Sequence, residues 1–169
     1  MEKSLVLTGM MGVGKSTVGN LLASKLKFKF LDIDTVIEKA EGASIGEIFE
    51  NKGETYFREI EKKITLINIK DKKTVISLGG GAFIQNTIRR EILKNSISFW
   101  LDLNIEDLIN RNLKKINRPL LKNDSSGNLL NKIYSERKKI YNLANYKIKC
   151  ESLSHKEIVS KILNIYENL

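Results

Sequence analysis

The segment Gly9-Met10-Met11-Gly12-Val13-Gly14-Lys15-Ser16 constrains this chain more than any other. It spells G-x-x-x-x-G-K-S in full. The compact apolar run at 4–8 precedes it, and a stretch with Val18, Leu21, Leu22 and Leu26 at helical spacing follows it. A strand that turns through glycines into a helix gathers backbone N–H groups and the positive helix end around one point, which suits a phosphate. On this reading Gly12, Val13 and Gly14 contribute backbone amides and Thr17 joins them from the first helical turn. Lys15 reaches the β- and γ-phosphates of a nucleotide, and the Ser16 hydroxyl ligates Mg2+. The bland alternative, a glycine turn with a surface lysine, does not account for the strand and helix on either side. The motif indicates a nucleoside triphosphate and nothing about the acceptor.

Short apolar runs alternate with helical periods along the rest of the chain. Strands are predicted at 28–31, 74–78, 97–101 and 146–150, the last reading as an edge strand. Helices are predicted at 14–26, 35–40, 45–51, 85–94, 105–113, 128–141 and 155–166. A further long helix starts at Gly53, with Phe57, Ile60, Ile64 and Ile67 on one face. Such alternation predicts an α/β chain with a parallel sheet covered by helices on both faces. No repeat or linker interrupts it, so residues 1–169 are expected to form one domain. The polar stretch around 113–127 carries the only proline and is long enough to need a function.

Composition removes several alternatives. The chain has 169 residues, a net charge of +9 and a single cysteine, Cys150. No run approaches the roughly 20 apolar residues that cross a bilayer, and the N-terminal apolar run is too short for a signal peptide. A lone cysteine forms no internal disulfide, so a reducing cytoplasm is the expected compartment, with no membrane and a monomer. The lysines are scattered in pairs and are not gathered on one helix. Nucleic acid is therefore not the expected partner, although the field favours anionic substrates. Salt-dependent oligonucleotide binding is the mark of that alternative.

The acceptor must be sought elsewhere. Asp32 and Asp34 stand at the end of the second predicted strand, where ligands of parallel sheets bind. Alternate strand positions would point both carboxylates the same way. Asp32 can hold a magnesium-bound water. Asp34 can hydrogen-bond an acceptor hydroxyl and take its proton, or simply cap the next helix. Arg58 has Glu61 one turn on to orient it, although a surface ion pair explains the same spacing. Arg137 lies on the apolar side of its helix with Leu130, Tyr134 and Tyr141, where a charge needs a partner: a ligand carboxylate, Glu136 or a more distant acid. Gly79, Gly80 and Gly81 end a central strand where backbone can approach a ligand closely. Arg118, in the long loop, suits a lid that excludes water and brings charge to a transferring phosphoryl group. Two arginines, an aspartate, a lid and a nucleotide loop describe a small-metabolite kinase, with Lys15, Asp34 and Arg118 as its catalytic groups.

GMMGVGKS, DID, FREIE, GGG, RPLL and ERKKIY also occur here in the order and approximate spacing of shikimate kinases, and the chain resembles that family over about residues 5–146. The segment at about 32–61 is similar to the family's substrate-binding segment. The resemblance implies a three-layer α/β/α P-loop kinase fold, like that of nucleoside monophosphate kinases, with a lid at about 113–127. Its five-stranded parallel sheet would run in the order 2-3-1-4-5. ATP would phosphorylate the 3-hydroxyl of shikimate. Asp34 would bind the shikimate hydroxyls, Arg58 and Arg137 its carboxylate, and Gly79, Gly80 and Gly81 would close that pocket. Ser16 and, through water, Asp32 would serve Mg2+. Arg118 would reach the phosphates and Arg111 would stack on adenine. One departure is the absence of the proline that many members carry before the last helix, where this chain reads Cys150-Glu-Ser-Leu-Ser-His155. A related kinase for another polyhydroxylated acid, such as gluconate, would use the same charged groups.

Overall fold

The computed structural model describes residues 3–113 and 127–169. Five strands form one parallel sheet in the order β2-β3-β1-β4-β5. They are β1 (Ser4–Thr8), β2 (Lys29–Asp32), β3 (Thr74–Ser77), β4 (Ser96–Asp102) and β5 (Tyr146–Lys149). Central β1 registers Leu5, Val6 and Leu7 against Val75, Ile76 and Ser77 of β3, and against Ile97, Ser98 and Phe99 of β4. Every residue of β1 and β3 is buried, on both faces. An unbroken apolar run such as Leu5-Val6-Leu7 is what a strand covered by helices on both sides requires. The predicted edge strand β5 lies at one edge and β2 at the other.

Seven α-helices flank the sheet among the described residues: α1 (Lys15–Leu26), α2 (Ile33–Glu41), α3 (Ile45–Asn68), α4 (Asn86–Asn95), α5 (Ile105–Leu113), α6 (Asn128–Tyr141) and α7 (His155–Glu167). Helices α3 and α7 start with capping boxes, Ser44 with Glu47 and Ser154 with Glu157. The break predicted between two helices near Gly53 is a kink inside α3. There Gly53 takes φ 82° and ψ 169°, a backbone that side chains rarely allow. The core joins Val18 and Leu22 of α1, Ile33 and Ile37 of α2, Ile88 and Ile92 of α4, and Ile158, Val159 and Ile162 of α7 to the central strands, where Phe99 and Trp100 are also buried.

The face predicted for α3 is rotated. Phe57 is buried, but Ile67 is 61% exposed, while Glu61 and Thr65 are fully buried. The inward stripe carries polar residues because that part of α3 lines a charged cavity. The Asp-Ile-Asp segment also differs from its strand reading. Asp32 ends β2 and caps α2, its Oδ1 accepting from the Thr35 N–H at 3.2 Å. Asp34 is therefore not the cap: it sits inside the first helical turn, and strand alternation does not align the two carboxylates.

Candidate active site

The loops after β1, β2 and β3 meet at the carboxyl ends of the strands, where open α/β sheets bind ligands. After β1, the chain runs through Gly9, Gly12 and Gly14, all with positive φ, into α1. Gly14 precedes Lys15 with φ 103° and no side-chain cap, so the first amides of α1 are left for an anion. Val13 is buried beneath this turn, and Thr17 is exposed in the first turn of α1. The Lys15 ammonium is buried and donates to the carbonyls of Gly9 and Met10 at 2.9 Å each. It spans the mouth of the loop, where phosphate oxygens are expected.

Ser16, Asp32 and Ser77 bring together three hard oxygens. The Ser16 hydroxyl donates to the Asp32 carboxylate, and the Ser77 hydroxyl lies 3.4 Å from that of Ser16. No group of three or more His, Cys, Asp or Glu side chains arranged to hold a metal ion occurs among the described residues.

A cavity of about 100 Å3, partly open to solvent, adjoins the loop. Met11, Ile45 and Phe49 supply an apolar wall. Asp34, Arg58, Glu61 and Arg137 supply the charge, and Gly79, Gly80 and Gly81 the floor. Thus α2, α3, α6 and the turn after β3 each deliver one predicted acceptor group to one place. Arg58 is not a surface ion pair. Its guanidinium donates at 2.7 Å to Glu61, whose side chain has no exposure, and Glu54 holds its outer side at 3.3 Å. Glu61 also accepts from Gln85 Nε2 at 2.9 Å. Burial pushes the Glu61 carboxyl up, while Arg58 and Gln85 pull it back.

Asp34 is the most perturbed acid here. Burial, then the negative charges of Asp32 and Glu61, push its carboxyl from 3.8 to about 6, against the pull of Lys15. Its Oδ1, the Oε1 of Glu61 and the Nη1 of Arg137 are buried with no hydrogen-bond partner among the described residues. Three orphaned polar atoms in one cavity are costly unless a ligand satisfies them.

The three glycines matter for room and not for φ, since none of them has positive φ. A Cβ on Gly79 would lie 2.6 Å from Glu61 Oε1 and 2.9 Å from Asp34 Oδ1. A Cβ on Gly81 would clash with the Arg58 guanidinium, and one on Gly80 would lie 3.5 Å from Arg137 Nη1. Gly79→Ala is therefore expected to destabilise the fold by about 1–3 kcal/mol through overpacking. Urea unfolding would read this as a lower midpoint. An unchanged midpoint would mean that the two carboxylates yield freely.

Some site residues gave no clear sequence signal. Tyr141, one turn beyond Arg137, is fully buried and donates to the Gly80 carbonyl at 2.5 Å. Gln85 holds Glu61, Ser77 joins Ser16, and Asn112 lies under Gly12. Of these, only Tyr141 was foreshadowed, by its place on the stripe of Arg137. His155 opens α7 as expected, and its ring stands against Gly14, 3.0 Å from where a Cβ would be. Arg111 donates to the Val13 carbonyl at 3.2 Å, beside the loop. Arg118 and nearly all of the expected lid fall on 114–126, outside the described residues.

Comparison with known proteins agrees with this geometry. Residues 11–167 match the family model for shikimate kinase. The shikimate kinase of Persephonella marina is 42% identical over 161 residues, 95% of this chain and 97% of that protein. That of Bacillus subtilis is 43% identical over 164 residues, 96% of this chain and 88% of its own. The solved structure of shikimate kinase from Acinetobacter baumannii in complex with shikimate superposes with a TM-score of 0.95. It is 32% identical and the match covers 99% of this chain and 94% of that one. With a phosphate loop beside a charged, half-apolar cavity, and likeness over nearly its whole length, the chain belongs to the shikimate kinase family.

Proposed function

We propose that this chain transfers the γ-phosphoryl group of ATP to the 3-hydroxyl of shikimate, giving shikimate 3-phosphate and ADP. The observation that carries the reading is the convergence of Asp34 Oδ1, Glu61 Oε1 and Arg137 Nη1, all lacking partners among the described residues, on a cavity next to the nucleotide loop. Arg137 and Arg58 suit a carboxylate, because a planar fork binds one bidentately. Met11, Ile45 and Phe49 suit the carbon face of a ring.

Asp34 takes the proton from the acceptor hydroxyl as its oxygen bonds to the γ-phosphorus and the bond to the ADP oxygen breaks. The proton then leaves Asp34 for solvent as the site opens. Lys15 and the amides of Gly12, Val13 and Gly14 meet the phosphate oxygens, and Arg111 lies beside them where the nucleotide base is expected. Ser16 directly, and Asp32 through water, fit Mg2+, which takes few protein oxygens and keeps several waters. A Mg2+ ion held by these residues would offset the negative charge of the phosphates. A monomer acting as a single domain is the form expected of it. No helix among the described residues is long and apolar enough to cross a membrane.

ADP release from Mg-ATP, measured with shikimate and with gluconate in parallel, tests the reading. A rise specific to shikimate is expected. Arg137→Ala should then raise the shikimate KM about 100-fold with a smaller change in kcat, since a lost charged hydrogen bond costs about 2–3 kcal/mol. A rise with gluconate alone would discard the acceptor and keep the chemistry. No rise with either would overturn the function.

A further inference from the structure

The carbonyl oxygens of the phosphate loop are held from two directions. Lys15 takes those of Gly9 and Met10. The last turn of α5 takes two more: Asn112 Nδ2 donates to Met11 at 3.0 Å, and Arg111 to Val13. Asn112 is not a surface residue that happens to touch the loop. It is only 7% exposed, and its second N–H donates to the Leu108 carbonyl at 2.8 Å. Both amide hydrogens are committed to carbonyls, so the orientation of the side chain is determined: a flipped amide would set an oxygen against two oxygens. A Cβ on Gly12 would lie 2.6 Å from Asn112 Nδ2, so the loop rests directly on this side chain.

The consequence follows from the planarity of the peptide. In a trans peptide the N–H points opposite to the C=O of the same unit, and no peptide bond here is cis. Holding the Met11 carbonyl toward α5 turns the Gly12 N–H the other way, toward the concave side of the loop. Glycine at 12, with φ 85°, offers little resistance of its own to rotation of that plane. The plane is therefore set from outside, by Asn112. The Asn112 Oδ1 is buried without a partner among the described residues, a cost that a purely structural apolar residue would avoid.

We propose that Asn112 is a positioning residue for phosphoryl transfer: it fixes the Met11–Gly12 peptide so that the Gly12 N–H faces the nucleotide phosphates. This rests on the reading of the loop as the ATP site, and it involves no contact between Asn112 and substrate.

The experiment uses calorimetric titration of the full chain with magnesium tripolyphosphate, a probe that has the phosphates of ATP and no base, and separately with shikimate. Asn112→Ala removes both donors and keeps a good helix former in α5. Asn112→Asp keeps the shape and sets an oxygen against the Met11 carbonyl. Both are expected to weaken tripolyphosphate binding about tenfold or more and to leave shikimate affinity within about twofold. Melting temperatures are recorded alongside. A merely structural role would lower the melting temperature and leave the tripolyphosphate affinity of the folded protein unchanged, which overturns the proposal. Equal weakening toward both ligands overturns it too. If Asn112→Asp fails to fold, Asn112→Ala decides alone. Failure of the unsubstituted chain to bind tripolyphosphate would sink the nucleotide reading instead, and the two failures are thereby distinguished.

Discussion

Asp34→Asn is expected to cut kcat by about 10²–10⁴-fold, the usual contribution of a positioned general base, while making the protein more stable at pH 8. The two effects share one cause. Burial and the neighbouring carboxylates Asp32 and Glu61 raise the Asp34 carboxyl from 3.8 to about 6. Between those values the folded protein holds a proton that the unfolded chain has released, so stability falls as pH rises through the window and stays lower above it. The ionised carboxylate then costs the fold at most about 3 kcal/mol at pH 8. Asparagine lifts that cost and keeps the shape, and for a chain of this size the melting temperature should rise by several degrees. The same acid sets the pH profile of the unsubstituted protein. Its kcat/KM should fall about tenfold per pH unit below about 6, as the base becomes protonated. Steady-state kinetics and thermal melts of both proteins check this. An Asp34→Asn protein as active as its parent would remove Asp34 from the proton transfer.

Lys15→Ala should lower kcat by about 10²–10³-fold, comparable to removing one preorganised donor from a dry site. It deletes the charge that faces the phosphates. It also deletes the tie that holds the carbonyls of Gly9 and Met10, so the loop loses shape as well as charge. Lys15→Arg should not rescue it. A planar fork cannot place one compact ammonium between two carbonyls in a space where the lysine is already 92% covered, its relative exposure being 8%. Turnover with shikimate is the measure, and a loss of less than tenfold would separate Lys15 from the transfer step.

Much of this molecule was legible before any coordinates. Alternating strand and helix periods define the parallel sheet, because a strand buried on both faces must be apolar throughout, as Leu5-Val6-Leu7 is. The nucleotide loop was legible for a different reason. Its chemistry is carried by the backbone and side chains of the six consecutive residues 12–17, so sequence neighbours are also neighbours in space. The strand order came only with the family resemblance, and pairing confirms it.

The acceptor site was legible as a set of residues but not as an environment. Arg58 and Glu61 at i and i+3 look alike whether they face water or protein, and only packing against the glycine turn after β3 and against Gln85 makes the pair a buried one. The polar inward stripe of α3 misled a hydrophobic reading of Ile67 for the same cause. Asp32 rather than Asp34 caps α2 because the helix starts at Ile33, directly after the strand, and not at 35. Asn112 left no trace at all: its role depends on a carbonyl 101 positions away in the chain. Local order along the sequence reflects local physics, namely periodicity, turn chemistry and the phosphate loop. Burial, shifted acidity and long-range hydrogen bonds arise only when distant segments meet, and here the tertiary structure decides them.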